Sequence, residues 1–193
     1  MKTLFFLICI VISFNCFSQN RSNIWYIGAF NSDPQMRKIG IDFSTGIADT
    51  FVFPRELSFF ITDASICDTN GNMLLYTNGI WIANQHDEHM LNSTDFNPGY
   101  STDYYGDDGL GWSQAAIILP KPGSSDHYLI FHVTGEEITK NGNYDVQPLH
   151  FSASEVDMNL DSGLGGVMPD KKNIHVIEDT VSQGRITACK HAN

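Results

Sequence analysis

The segment 92–112, NSTDFNPGYSTDYYGDDGLGW, gathers the side chains best suited to chemistry. Asp95, Asp103, Asp107 and Asp108 are hard oxygen ligands, and carboxylates beside backbone carbonyls suit a cation such as Ca²⁺. DYYGDDG lacks the alternate-position acids and closing Glu of an EF-hand loop, so a Ca²⁺ site here would be of another kind. No other cofactor is indicated. Tyr100, Asp103, Tyr104, Tyr105 and Trp112 form a second candidate set, for a glycan or a protein. Aromatic faces stack on such a partner while the polar groups bond to it. A loop this long inside a compact domain is often functional or mobile. The competing reading is a solvated insertion.

Catalytic constellations are weaker. QHDEHM (85–90) has His86 and His89 three apart, but HExxH is absent and the neighbours read as strand and turn. Glycoside hydrolysis needs two carboxyl groups about 5–10 Å apart. The chain has 22 acids and no motif that selects a pair. Ser113 lies in GWSQA, without the second Gly of a nucleophile elbow. DSGLGG (161–166) opens no helix, so it is no phosphate cradle. The balance leans away from an enzyme; a carbohydrate-active enzyme on a β scaffold, or an inactive truncated gene product, stays as the alternative.

The elements that must position these residues read as strands. No long window carries a 3.6-residue apolar period. Short runs rich in β-branched and aromatic residues do recur: IWYIGAF (24–30), KIGIDF (38–43), FVF (51–53), ASIC (64–67), MLLYT (73–77) and IWIAN (80–84). AAIIL (115–119), HYLIFHV (127–133), PLHFSASEV (148–156), IHVIE (174–178) and ITACKH (186–191) follow. Turn clusters such as DFSTG, DTNGN, KPGSSD, KNGN and DSGLGG separate them. This is the pattern of an all-β chain.

It repeats. ASICDTNGNMLLYTNG, from Ala64, aligns with AIILPKPGSSDHYLIFHVTG, from Ala116, 52 positions on, and ITACKHAN begins a third copy. Units of about 40–50 residues with four short strands mark β-propeller blades, which are stable only when stacked. The expectation is a partial propeller of about three blades or part-blades, each an antiparallel four-stranded sheet. Propellers have four to eight blades, so the chain reads as a fragment truncated at its C-terminus, its missing blades supplied by the rest of a longer chain. A small β-sandwich remains open.

Residues 1–18, MKTLFFLICIVISFNCFS, have Lys2, an apolar core and small or neutral residues near a cut before Gln19. That is the layout of a secretory signal peptide, leaving 19–193 as the propeller segment. The apolar run is short for a membrane span, and none follows. The chain carries 11 basic and 22 acidic residues, net −11. Such a surface repels nucleic acid and anionic lipid. Outside the cell, Cys67 and Cys189 become a candidate disulfide. Short strand-like runs hold both, so two free buried thiols are the other reading.

The runs NIWYIGAF, IDFSTG, ASICDTNGNMLLYTNGIWIANQHDEHM, SQAAIILPKPGSSDHYLIFHV, SEVDMNLDSGLGGV and ITACKHAN together resemble the N-terminal propeller-like region of large secreted Bacteroidota proteins. The order G-N-x-L-x-Y-T-x-G, then S-Q-x-A-x-I-x-P-K-P-G, carries the resemblance over about residues 23–193. Those proteins often end in a type IX secretion sorting domain or a gliding-motility C-terminal domain. The resemblance implies a WD40-like or YVTN-like propeller, exported and displayed at the cell surface, with adhesion or gliding as its setting. It brings no catalytic residue. Asp179-Thr180-Val181 resembles the D-T/S-apolar triplet of exported Bacteroidota proteins, which makes Thr180 a candidate O-glycan acceptor.

Overall fold

Short β-branched and aromatic runs cut by Gly, Asn and Asp turns form thirteen strands in a computed structural model that describes residues 20–28, 38–182 and 184–189. The expected signal peptide, 1–18, lies outside the described residues. Every strand pairing is antiparallel, and α1 (Tyr100–Tyr105) is the one α-helix among the described residues. The protein is therefore all-β. No helix among the described residues is long and apolar enough to cross a membrane.

Three sheets stack in chain order. The first is the meander β1 (Ile24–Ile27), β2 (Ile39–Asp42) and β3 (Asp49–Val52). The second is the meander β4 (Ala64–Cys67), β5 (Met73–Thr77) and β6 (Ile82–Asn84). The third begins with the hairpin β7 (Ala116–Pro120) and β8 (His127–His132). An inserted hairpin, β9 (Glu136–Lys140) and β10 (Asn143–Gln147), precedes β11 (His150–Asp157), which pairs with β8. The far edge of β11 is shared by β12 (Gly166–Val167) and β13 (Ile174–Glu178).

Turn chemistry sets each reversal. In DTNGN the Asp68 carboxylate accepts the backbone N–H of Asn70 (2.8 Å) and Asn72 (2.9 Å), and Gly71 takes φ 94°. Burial pushes the Asp68 carboxyl up, and the bonds from Asn72 and Asn70 more than offset that to hold it below its ordinary value. In TNG the Asn78 side chain accepts from the N–H groups of Ile80 and Trp81, turning β5 into β6.

The second sheet is buried on both faces. Ile66, Leu75 and Ile82 meet Ile118, Tyr128, Ile130 and Val156 of the third sheet. Cys67, Met73, Tyr76 and Ala83 meet Tyr26 of the first, with Phe51 beside them. Strand alternation explains the division: Ile66 pairs with Leu75 and Tyr76 with Ala83, so adjacent pairs point to opposite cores. β4 accordingly lies between β1 and β7. Fully burying a Leu such as Leu75 stabilises by about 1.5–3 kcal/mol.

Several sequence expectations need correction. The first two sheets have three strands each among the described residues, not four, and no sheet closes on itself. Residues 186–189 of the expected third copy form no strand. The 52-residue alignment is out by one position. Ile66 and Ile118 face each other across one core, so matching them reverses the faces. Matching Ile66 with Ile117 restores like with like; their cross-strand partners are Leu75 and Phe131. A one-residue slip exchanges the two faces of a strand.

Candidate functional site

The segment 92–112 is a packed plug rather than a solvated insertion. Ser93, Phe96, Asn97, Ser101, Leu110 and Trp112 are buried. Phe96 joins the core between the second and third sheets, and Leu110 and Trp112 make a third core with Ala115 and Val133. Trp112 is thus a core residue, not a ligand platform. Gly135 explains how it fits: a Cβ there would lie 2.4 Å from the Trp112 ring.

The plug raises α1 on its surface. Ser101 N–H donates to the Gly135 carbonyl (2.9 Å), and the Thr102 hydroxyl donates to the Asn97 carbonyl (2.6 Å). The Thr102 and Thr134 hydroxyls lie 3.0 Å apart, and Tyr100 N–H donates to Glu136 (3.4 Å). These bonds fix a six-residue helix whose sequence has no apolar stripe. Tyr100 stacks on Tyr104 with centroids 6.0 Å apart, Tyr105 meets Tyr104 edge-on at 5.1 Å, and Tyr144 of β10 meets Tyr100 edge-on at 6.2 Å. Tyr104 is 70% and Tyr144 60% exposed. A hydrogen bond with Tyr100 pushes the Tyr144 hydroxyl up to about 12. Asp103 is exposed on the same helix.

Tyr100, Asp103, Tyr104 and Tyr105 therefore come together, Trp112 does not, and Tyr144 is the member that sequence reasoning missed. Its signal was present: KNGN is a two-residue hairpin turn, with Asn141 at φ 53° and Gly142 at φ 77°. The polar strands on either side carry no apolar pattern.

Beneath the patch lies a closed polar network. His132 is fully buried. The Asn97 amide donates to the Gly79 carbonyl (2.7 Å) and the Val133 carbonyl (3.0 Å). That fixes Asn97 Oδ1 as the acceptor facing His132 Nδ1 at 2.8 Å. Nδ1 therefore carries the hydrogen, and Nε2 accepts from the Ser154 hydroxyl at 3.1 Å. Ser154 accepts in turn from Asn173 N–H (2.9 Å), and the Asn173 side chain accepts from Asn97 N–H (2.9 Å). Burial, helped by nearby His175, pulls the His132 imidazole down to about 3.

Other expected groups stand apart. Asp95, Asp103 and Asp107 are exposed and Asp108 half-buried; among the described residues no three His, Cys, Asp or Glu side chains converge as metal ligands would. Cys67 is buried and Cys189 exposed, and both are free thiols. Burial pushes the Cys67 thiol up. Thr180 is exposed just past β13. In QHDEHM the histidines diverge: His89 stacks on Trp81 with centroids 3.9 Å apart, while His86 is exposed. Asp87 turns inward, accepting from the Tyr76 hydroxyl and from the backbone N–H groups of Glu56 and Leu57.

Fold and surface together define an all-β protein of stacked antiparallel sheets with a tyrosine-lined face. Compared with protein families, curated proteins and solved structures, the chain matches none.

Proposed function

We propose that the protein is an exported, non-catalytic recognition module, a segment of a β-propeller that presents its tyrosine face to a glycan or protein at the cell surface. The observation that carries this reading is the arrangement of Tyr100, Tyr104 and Tyr144, with Tyr104 exposed on a helix bonded from below to Gly135, Asn97 and Thr134, and Tyr144 exposed on the hairpin beside it. Fixed aromatic faces with polar edges lose little conformational freedom on binding. Two successive three-stranded meanders and a third sheet, with β4 between β1 and β7, support the propeller part of the reading. The signal-like N-terminus and the resemblance to secreted Bacteroidota proteins support export, with adhesion or gliding as the setting.

Binding of the protein to an array of surface glycans tests this. Tyr104→Ala is expected to weaken the best ligand about two- to twelvefold, as loss of about 0.5–1.5 kcal/mol of aromatic contact implies. Unchanged binding by the variant would remove the tyrosine face from the reading. Turnover of a chromogenic glycoside that is lost on mutating Asp103 would replace the module with an enzyme.

A further inference from the structure

The sheets stack in one sense, and each joins its neighbour in the same way. The first strand of each sheet leads: β1 lies against β4, and β4 against β7. The Tyr26 face of the first sheet meets Tyr76 of the second, and the Ile66–Leu75 face of the second meets Ile118 and Ile130 of the third. In the corrected register Ile117 and its partner Phe131 match Ile66 and Leu75. They therefore occupy the face on which a further sheet would continue the stack.

That face is apolar and open. Alternation turns Ile117, Leu119, Leu129, Phe131 and Ala153 away from the core shared with the second sheet, and each is only half-buried. The acids on this face are paired: Glu155 with Lys121 (2.7 Å) and Lys171 (3.2 Å), and Asp157 with His127 (3.7 Å). The opposite end of the stack is open too. Trp25, Ile27, Ile39, Ile41 and Val52 point away from Tyr26 and its core. Trp25 is 50% and Val52 56% exposed, and no charged residue of β1, β2 or β3 shares their face. The chain's acidity is thus kept off both end faces. Exposed apolar faces of this kind mark association sites. The molecule carries both halves of a sheet-to-sheet contact, one at each end.

We propose that a second copy of this chain docks head to tail, its first sheet on the outer face of the third, with β1 of one copy beside β7 of the other. A head-to-tail contact either closes or propagates. Made twice between two copies, it closes a ring of six stacked sheets, three from each. Rings of four to eight such sheets close, and three are too few. The inference rests on the propeller part of the reading above and names what completes the ring. The tyrosine face stands on the connection between β8 and β11, at the strand ends, and is left outside the contact. β13 lies at the far edge of its sheet from β7 and stays exposed.

Sedimentation gives the mass of the wild-type protein across a dilution series, and acrylamide quenching of fluorescence follows Trp25 in the same samples. The chain has three tryptophans, and Trp81 and Trp112 are buried, so quenching reports on Trp25. A mass of two copies is expected, falling to one on dilution as Trp25 becomes quenchable. Trp25→Glu and Ile117→Glu should each raise the dissociation constant at least about thirtyfold, the scale of a buried interface hot spot. Mixing the two variants should restore a dimer, because the third sheet of the first and the first sheet of the second are both intact. A single-copy mass at every concentration overturns the docking and leaves the propeller segment standing. Masses that climb past two copies overturn the ring, and the propeller part of the reading with it. A dimer in which Trp25 stays quenchable overturns the head-to-tail contact. These three outcomes are read on the wild type, so they decide even if a variant fails to fold.

Discussion

Acidification should unfold this protein through His132 before most carboxylates are neutralised. The network around it is complete only when the ring is neutral, because Nε2 must accept from Ser154 while Ser154 accepts from Asn173. In the denatured chain an imidazole takes its proton near pH 6.5; in the fold burial lowers that to about 3. Between those values the denatured state binds a proton that the native state refuses, so stability falls as pH falls. The interval is about 3.5 pH units at 1.36 kcal/mol each, or about 5 kcal/mol in all. Most domains have only about 5–15 kcal/mol in total. The assay is urea unfolding at pH 7.5, 6, 5 and 4 for the wild type and for His132→Gln. Gln can donate to Asn97 and accept from Ser154, but it does not titrate. The variant should be less stable at pH 7.5, and its stability should fall less steeply between pH 6 and 4, by about 1.4 kcal/mol per unit. Carboxylates such as Glu155 titrate in both proteins and cancel in the difference. Burial raises Glu155, while bonds from Lys121, His127 and Lys171 outweigh that and hold it at about 2. Equal slopes for the two proteins, or an NMR signal of His132 protonating above pH 5, would refute the argument.

Two further substitutions probe the supports of the candidate site. Tyr76→Phe removes the phenol donor from Asp87 but leaves the core volume intact, and should cost about 1–3 kcal/mol in urea unfolding at pH 7.5; a change under about 0.5 kcal/mol would mean the bond is idle. Gly135→Ala places a Cβ 2.4 Å from the Trp112 ring and 2.5 Å from the Ser101 hydroxyl, and should cost about 1–3 kcal/mol and alter the near-ultraviolet circular dichroism of Trp112. An unperturbed Trp112 signal would show that the plug has slack.

The strands were legible wherever burial imposed a pattern. MLLYT and HYLIFHV lie in or between cores, and their residue types announce it. β9 and β10 were not, because Glu136–Lys140 and Asn143–Gln147 bury little and pair mainly through backbone bonds. Helix α1 was equally hidden: YSTDYY has no apolar period, and tertiary bonds to Gly135, Asn97 and Thr134 hold it. Three of the four tyrosines, Tyr100, Tyr104 and Tyr105, were therefore readable as composition, while Tyr144 and the geometry were not. Trp112 was misjudged because it was grouped with the tyrosines before it, whereas it packs with the nearby Leu110 and Ala115 and the distant Val133. Both aligned segments form hairpins, β4–β5 and β7–β8, yet their register needed the side-chain faces. The His132 network carried no sequence signal, since it joins Gly79, Asn97, His132, Ser154 and Asn173 from five separate stretches.

The stack of sheets also sets an order of opening. The middle sheet shares one core with the first and another with the third, so it cannot lose its hydrogen bonds unless a neighbour leaves first. Among the described residues each outer sheet shares a core with one neighbouring sheet, and β13 is exposed along its whole length. The chain should therefore fray from its flanks inward. The amide hydrogens of Leu75 and Tyr76 should be among the last to exchange with solvent, those of Val176 and Ile177 among the first.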